Sequence, residues 1–67
     1  MTASYCNRAL VHLKMKNYEL CIKDCEKTLS LDKKYLKAYH RRGKALVQLL
    51  KYEDALCDFE YIMDKEP

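Results

Sequence analysis

Interior-type residues recur at spacings of three and four along nearly the whole chain. Tyr5, Ala9, His12 and Leu13 follow this spacing, and Tyr18, Cys21, Ile22, Cys25, Thr28 and Leu29 continue it. A second series repeats the pattern with Tyr39, Gly43, Leu46 and Val47, then Tyr52, Ala55, Leu56, Phe59, Ile62 and Met63. A period near 3.6 belongs to amphipathic helices, so four are predicted, the first and third over 2–16 and 36–51. Breaks fall at Lys16-Asn17, at Asp32-Lys33-Lys34 and at Lys51. No stretch alternates long enough for a strand, and such short connections join antiparallel neighbours, so the expected architecture is all-α, two helical hairpins.

The two series are copies of one another. A shift of 34 residues pairs Tyr5 with Tyr39, Arg8 with Arg42, Tyr18 with Tyr52, Glu19 with Glu53, Asp24 with Asp58 and Glu26 with Glu60. The same shift pairs Ala9 with Gly43, Cys21 with Ala55, Ile22 with Leu56 and Leu29 with Met63, so size is duplicated along with identity. The chain therefore reads as a tandem duplication, with units at 2–35 and 36–67.

Composition adds limits. With 67 residues, one Gly and one Pro, the chain is at most one small helical domain. A core this small is marginal, so a partner, a metal, a disulfide or neighbouring sequence is expected to support it. Apolar runs are too short to cross a bilayer and nothing resembles a secretory leader, which points to a soluble protein of the cytoplasm with no membrane partner. Cys6, Cys21, Cys25 and Cys57 lack the Gly-rich, turn-rich setting of a disulfide scaffold and read as reduced packing residues. Cys21 and Cys25 share a helix face, so a metal site with His12 or His40 is conceivable, but no CxxC spacing supports one; no cofactor or metal is expected.

Charge is distributed by helix. From Lys33 to Tyr52 there is no acid, and KAYHRRGKAL at 37–46 carries four bases and a histidine. The first and third helices together hold Arg8, Lys14, Lys16, Lys37, Arg41, Arg42, Lys44 and Lys51 with no acid, whereas the remainder holds five bases and ten acids. A net charge of +3 thus hides a +8 set of helices backed by −5. Lys37, Arg41, Lys44 and Gln48 share one face of the third helix, and Ala3, Asn7, Leu10 and Lys14 the corresponding face of the first. Asn7 and Arg41 occupy equivalent positions on helices expected to pack about 10 Å apart, within reach of one small anionic group. Lys16 falls outside that face. Arg8 and Arg42 face the hairpin interior or its edge and are expected to pair with Asp24 and Asp58, while His12 is expected to be a hydrogen-bonded packing residue.

The period of 34, with Tyr39, Gly43, Tyr52, Ala55, Phe59 and Pro67 at large, small, aromatic, small, aromatic and proline positions, resembles the tetratricopeptide repeat. The resemblance covers essentially the whole chain and implies two hairpins stacked as a short right-handed superhelical solenoid, with Gly43 and Ala55 letting the helices of a hairpin approach and Tyr39 and Phe59 filling the space beside them. It departs from the family at Arg8 and Arg42, where leucine is usual, at Thr28 and Ile62, where alanine is usual, and at Lys33, where proline is common. In the family the first helix of each hairpin lines a concave groove, so the resemblance implies a groove of positive potential and an anionic ligand.

Asn7-Arg8-Ala9, with Lys37 and then Arg41-Arg42-Gly43, is similar to the carboxylate clamp of co-chaperone tetratricopeptide domains. Those domains bind the free C termini of heat-shock chaperones of the 70- and 90-kDa classes, which end in Glu-Glu-Val-Asp. The match implies that Asn7 bonds the terminal α-carboxylate and that Lys37 and Arg41 hold the aspartate side chain, with Lys14, His40 and Lys44 along the groove. A full clamp takes a further Lys and Asn from a preceding repeat, so the two units resemble the second and third of three. An uncovered apolar face of Leu56, Phe59, Ile62 and Met63 is expected to allow self-association. RNA or phosphate binding through the same bases is the alternative, made less attractive by the acidic remainder and the lack of a nucleic-acid motif. Catalysis finds no phosphate loop and no nucleophile and base set.

Overall fold

The computed structural model describes residues 2–65, with side chains from Ser4 onward. Expectations placed on Pro67 and on the side chain of Ala3 lie outside the described residues. Four helices form in order, α1 (Thr2–Lys14), α2 (Tyr18–Leu31), α3 (Leu36–Gln48) and α4 (Tyr52–Lys65), with no strand among the described residues.

α1 and α3 stop two and three residues short of the expected ends, and the reason is duplicated. Lys16 and Leu50, equivalent under the 34-residue shift, adopt left-handed φ values of 65° and 64°. The N–H of Asn17 reaches back to the carbonyl of His12 at 2.8 Å and that of Lys16 to Leu13 at 3.1 Å; Lys51 to Leu46 at 2.8 Å and Leu50 to Val47 at 3.0 Å repeat the arrangement. This is the Schellman termination, which satisfies the last helical carbonyls and normally places glycine at the left-handed position. Between the hairpins, Asp32 makes the turn without a proline: its Oδ1 accepts the N–H of Lys34 at 3.0 Å and its carbonyl that of Tyr35 at 3.2 Å.

α1 packs on α2 and α3 on α4, α2 also packs on α3, and α1 touches α3, whereas α4 approaches neither α1 nor α2 closely. The first helices of the two hairpins therefore meet on one side while α2 and α4 diverge on the other. That difference curves the array and makes α1 and α3 its inner, concave wall.

Small side chains permit this packing. Cys6, Ala9, Cys21, Cys25, Ala38 and Ala45 are wholly buried, and Thr28 is the largest side chain with no exposure; its hydroxyl donates to the Asp24 carbonyl at 2.9 Å. Cys57 departs from the expected packing role and is exposed. Gly43 is needed for close approach, since a Cβ there would stand 2.8 Å from two ring carbons of Phe59. The Phe59 ring is thus turned toward α3 and is half-buried, as its space-filling role beside Gly43 requires, which corrects its placement on the outer apolar face. That face is left with Leu56 and Met63, both strongly exposed, and the half-buried Ile62.

Each hairpin contains the same polar unit. Arg8 Nε and Nη2 donate to the two carboxylate oxygens of Asp24, both at 2.8 Å, and Arg42 Nε and Nη2 to those of Asp58 at 2.9 and 2.7 Å. The guanidinium of Arg8 lies 5.4 Å from the Tyr5 ring centroid and that of Arg42 5.5 Å from the Tyr39 centroid. Three of the identities in the sequence repeat, Tyr, Arg and Asp, are therefore one cation–π and bidentate ion-pair unit built twice. Asp24 and Asp58 are buried, so the forked arginine satisfies carboxylates that would be costly alone. His12 packs beside the first unit but is not hydrogen-bonded as expected. Its Nε2 lies 3.5 Å from Asp24 Oδ2, whose carboxylate Arg8 already engages, and its Nδ1 is buried without a partner.

Three outcomes follow for stability. Leu50→Gly relieves a left-handed leucine that buries little, so it should stabilise by about 1 kcal/mol, read as a higher urea midpoint at unchanged slope. Gly43→Ala gains helix propensity but drives a methyl into Phe59, and a net loss of about 1–2 kcal/mol should appear in the same measurement. The hydrogen bonds from Arg8 hold the Asp24 carboxyl below its ordinary value despite burial. Its contribution is therefore present above the unfolded value of about 3.9 and lost as pH falls through the lower folded value. Stability of the parent and of Asp24→Asn should differ at neutral pH and converge in strong acid; parallel curves would show that the pair contributes nothing.

Candidate functional site

The internal pairs sort the basic residues of the concave wall. Arg8 and Arg42 are committed to Asp24 and Asp58, as expected from sequence. Among the described residues no carboxylate pairs with Lys14, Lys37, Arg41 or Lys44. With Lys16 and Lys51, which are likewise unpaired among the described residues, these cations are the part of the wall's charge left without an internal partner.

Arg41 is the most constrained of them. It is half-buried, and its Nη1 donates to the backbone carbonyl of Cys6 at 2.9 Å, with the guanidinium packed tightly against the Cys6 side chain. Its own carbonyl accepts from the Cys21 thiol at 3.8 Å. A guanidinium has five N–H donors. Spending Nη1 on α1 leaves the Nε and Nη2 edge without a carboxylate partner among the described residues. That is the edge with which Arg8 and Arg42 grip their aspartates, so the chain twice displays the carboxylate geometry that Arg41 is free to offer.

The expected site residues fall into two groups. Asn7 is exposed and follows Cys6 directly, beside the point where Arg41 meets α1. Lys37, one turn before Arg41, is exposed and borders a shallow depression of about 370 Å³ with Asp32, Lys34 and Tyr35. Lys14 and Lys44 instead line a cavity of about 540 Å³ near the C-terminal ends of α1 and α3, where Leu13, Val47, Tyr18 and Phe59 supply apolar walls. Seven residues separate Lys37 from Lys44, a rise of roughly 10 Å along the helix, so the two groups could meet an extended ligand at different points. His40 is exposed, with its ring edge-on to Phe59 at 6.2 Å.

Two residues depart from the sequence reading. Lys16, placed outside the groove face, lines the same cavity as Lys14 and Lys44, because the helix has already ended and its left-handed backbone no longer follows the helical face. Cys6 read as packing only, yet its backbone carbonyl is the contact that holds Arg41. Nothing in the spacing marks it, since the contact spans 35 residues.

Cys6, Cys21 and Cys25 are buried and all four cysteines are free thiols. A hydrogen bond with Cys21, together with burial, pushes the Cys25 thiol up, so it is protonated at neutral pH. Among the described residues no three His, Cys, Asp or Glu side chains gather closely enough to hold a metal ion. No helix among them is long and apolar enough to cross a membrane.

Comparison with known proteins agrees with this architecture. The chain is 44% identical over 63 residues to serine/threonine-protein phosphatase T of Aspergillus oryzae, covering 94% of this chain and 13% of that protein. It is 49% identical over 51 residues to the Hsp70/Hsp90 co-chaperone CNS1 of Saccharomyces cerevisiae, covering 76% of this chain and 13% of that one. Among solved structures it superposes on the Arabidopsis OM64 TPR domain with a TM-score of 0.95 and 39% identity, over 98% of this chain and 55% of the other. It also superposes on the second TPR of Spaghetti (RPAP3) bound to the HSP90 peptide SRMEEVD, with a TM-score of 0.90 and 43% identity, over 94% of this chain and 55% of the other. The chain thus spans about 13% of the length of these curated relatives. The two stacked hairpins are the all-α solenoid expected from the repeat, and since residues 2–35 match the tetratricopeptide repeat as a family, the chain belongs to that family.

Proposed function

We propose that this chain is a non-enzymatic, cytoplasmic adaptor module that binds the acidic C-terminal peptide of heat-shock chaperones of the 70- and 90-kDa classes. Residues 2–35 and 36–67 act as its two tetratricopeptide motifs, the second on the strength of the 34-residue identities and of its own hairpin. Asn7 donates to the terminal α-carboxylate, Lys37 and the open edge of Arg41 hold the terminal aspartate side chain, and Lys14, Lys44 and His40 contact residues upstream. The observation that carries this reading is the sorting of charge: two arginines of the concave wall are neutralised inside the hairpins while Lys14, Lys37, Arg41 and Lys44 have no carboxylate of their own among the described residues. The RPAP3 neighbour is bound to the HSP90 peptide SRMEEVD, which ends in aspartate, and this supports the same ligand class.

Titration calorimetry of the full-length protein with the peptide Ser-Arg-Met-Glu-Glu-Val-Asp tests it. Binding should be roughly micromolar, about −8 kcal/mol, because a few charge-assisted hydrogen bonds must offset ordering of a flexible tail. Arg41→Ala and Lys37→Ala should each remove about 1.5–3 kcal/mol, while Lys27→Ala on the exposed face of α2 should change little. Asn7→Ala should matter much less once the peptide is amidated at its C terminus. Unchanged affinity on amidation, or an Arg41→Ala variant that binds like the parent, would sink the reading.

A further inference from the structure

The two repeats make the same left-handed helix end with different residues, Lys16 in the first and Leu50 in the second. Leu50 borders a depression that also holds Lys51, Glu53 and Asp54, where opposite charges offset one another. Lys16 instead lines the cavity of about 540 Å³ together with Lys14 and Lys44, and no acid lines that cavity. All three lysines are exposed and none has a carboxylate partner among the described residues. Apolar walls behind charges of one sign focus their field into the cleft, so what enters this cavity is sorted by charge.

With the terminal aspartate of a peptide at Lys37 and Arg41, the wall runs on for roughly 10 Å, seven helical residues, before it reaches Lys44, and equally from Asn7 to Lys14. An extended peptide advances about 3.3 Å per residue, so its third residue upstream of the aspartate comes level with Lys14 and Lys44 and the next two cross the cavity. In Ser-Arg-Met-Glu-Glu-Val-Asp the second and third upstream residues are glutamates, which engage Lys14 and Lys44; the fourth is methionine, over the apolar walls, and the fifth is arginine. That arginine arrives where Lys16 is the cation left without a partner. We infer that Lys16 is a specificity-determining residue that reads the charge of the fifth residue upstream of the terminal aspartate, favouring an acid there and disfavouring a base. This rests on the clamp reading above, which by itself makes no demand on that position. Leucine at the equivalent place in the second repeat could not supply it.

Titration calorimetry of the full-length protein with two peptides tests this, Ser-Arg-Met-Glu-Glu-Val-Asp and the same sequence with its arginine replaced by glutamate. The parent should bind the glutamate peptide about fivefold more tightly, because a like-charge contact is exchanged for an attractive one at an exposed site. Lys16→Gly removes the charge and suits the left-handed backbone, so it folds without new strain, and it should bring the two peptides within about twofold of each other. Lys16→Glu should reverse the preference. Added salt should shrink the parent's preference, since the charges meet in solvent. A parent that binds both peptides alike, a preference that survives Lys16→Gly, or one that salt leaves unmoved would each overturn the inference, while the effects of amidation and of Arg41→Ala report separately on the clamp. Binding that depends neither on Arg41 nor on a free C terminus would remove both readings.

Discussion

Close approach of helices across small side chains is the constraint on which the rest of this structure depends. The facing positions are glycine, alanine, cysteine and threonine, and the Cβ that Gly43 lacks would collide with Phe59. Small residues let backbones approach, but they bury little apolar area each, so the interior of one hairpin contributes modestly to stability. Stacking of the second hairpin on the first is what makes the buried surface continuous, through α2 and α3. The thiols belong to this scheme. A cysteine is about as small as the site demands, is readily buried, and offers a sulfur that can accept or donate weakly where an alanine offers nothing.

Polar groups inside such a thin core must be satisfied completely or excluded. The Tyr-Arg-Asp unit meets that demand twice, with each buried aspartate receiving two forked N–H donors and each guanidinium lying near a tyrosine face. Duplication then breaks at a single informative pair: where the first repeat has Asn7 the second has Arg41. Both copies have the internal arginine, at Arg8 and Arg42, but only the second has an additional one, and no acid accompanies it among the described residues. An arginine paired with an internal carboxylate and one without such a partner among the described residues thus stand side by side at Arg42 and Arg41.

Much of this was legible in the sequence because it is periodic. Helix number and hairpin pairing follow from spacing, and the Arg8–Asp24 and Arg42–Asp58 pairs follow from helical faces combined with the 34-residue repeat. What escaped was set by geometry without a period. The left-handed residues Lys16 and Leu50 shorten the helices although neither is glycine, and that end brings Lys16 into the cavity with Lys14 and Lys44. Phe59 was legible as the ring that fills the space beside Gly43, but its spacing with Leu56 and Met63 also put it on the outer face, and only the packing of α3 on α4 decides between the two. Cys6 is indistinguishable from a core cysteine in sequence, since its contact depends on how one repeat stacks on the other.

That last contact joins folding to recognition. The carboxylate edge of Arg41 is oriented by α1, a helix of the other hairpin, so the site is complete only while the hairpins are stacked. Anything that binds the stacked form and not the separated one stabilises it by mass action, in proportion to the logarithm of ligand concentration over the dissociation constant. In a repeat array with small interfaces this stabilisation is comparable to the interface energy itself, and it falls on the junction between repeats more than on either hairpin. On the proposed clamp reading the peptide would be a cross-brace: by gripping Asn7 on α1 and Arg41 on α3 together, it would oppose separation at the thin, alanine- and cysteine-lined junction.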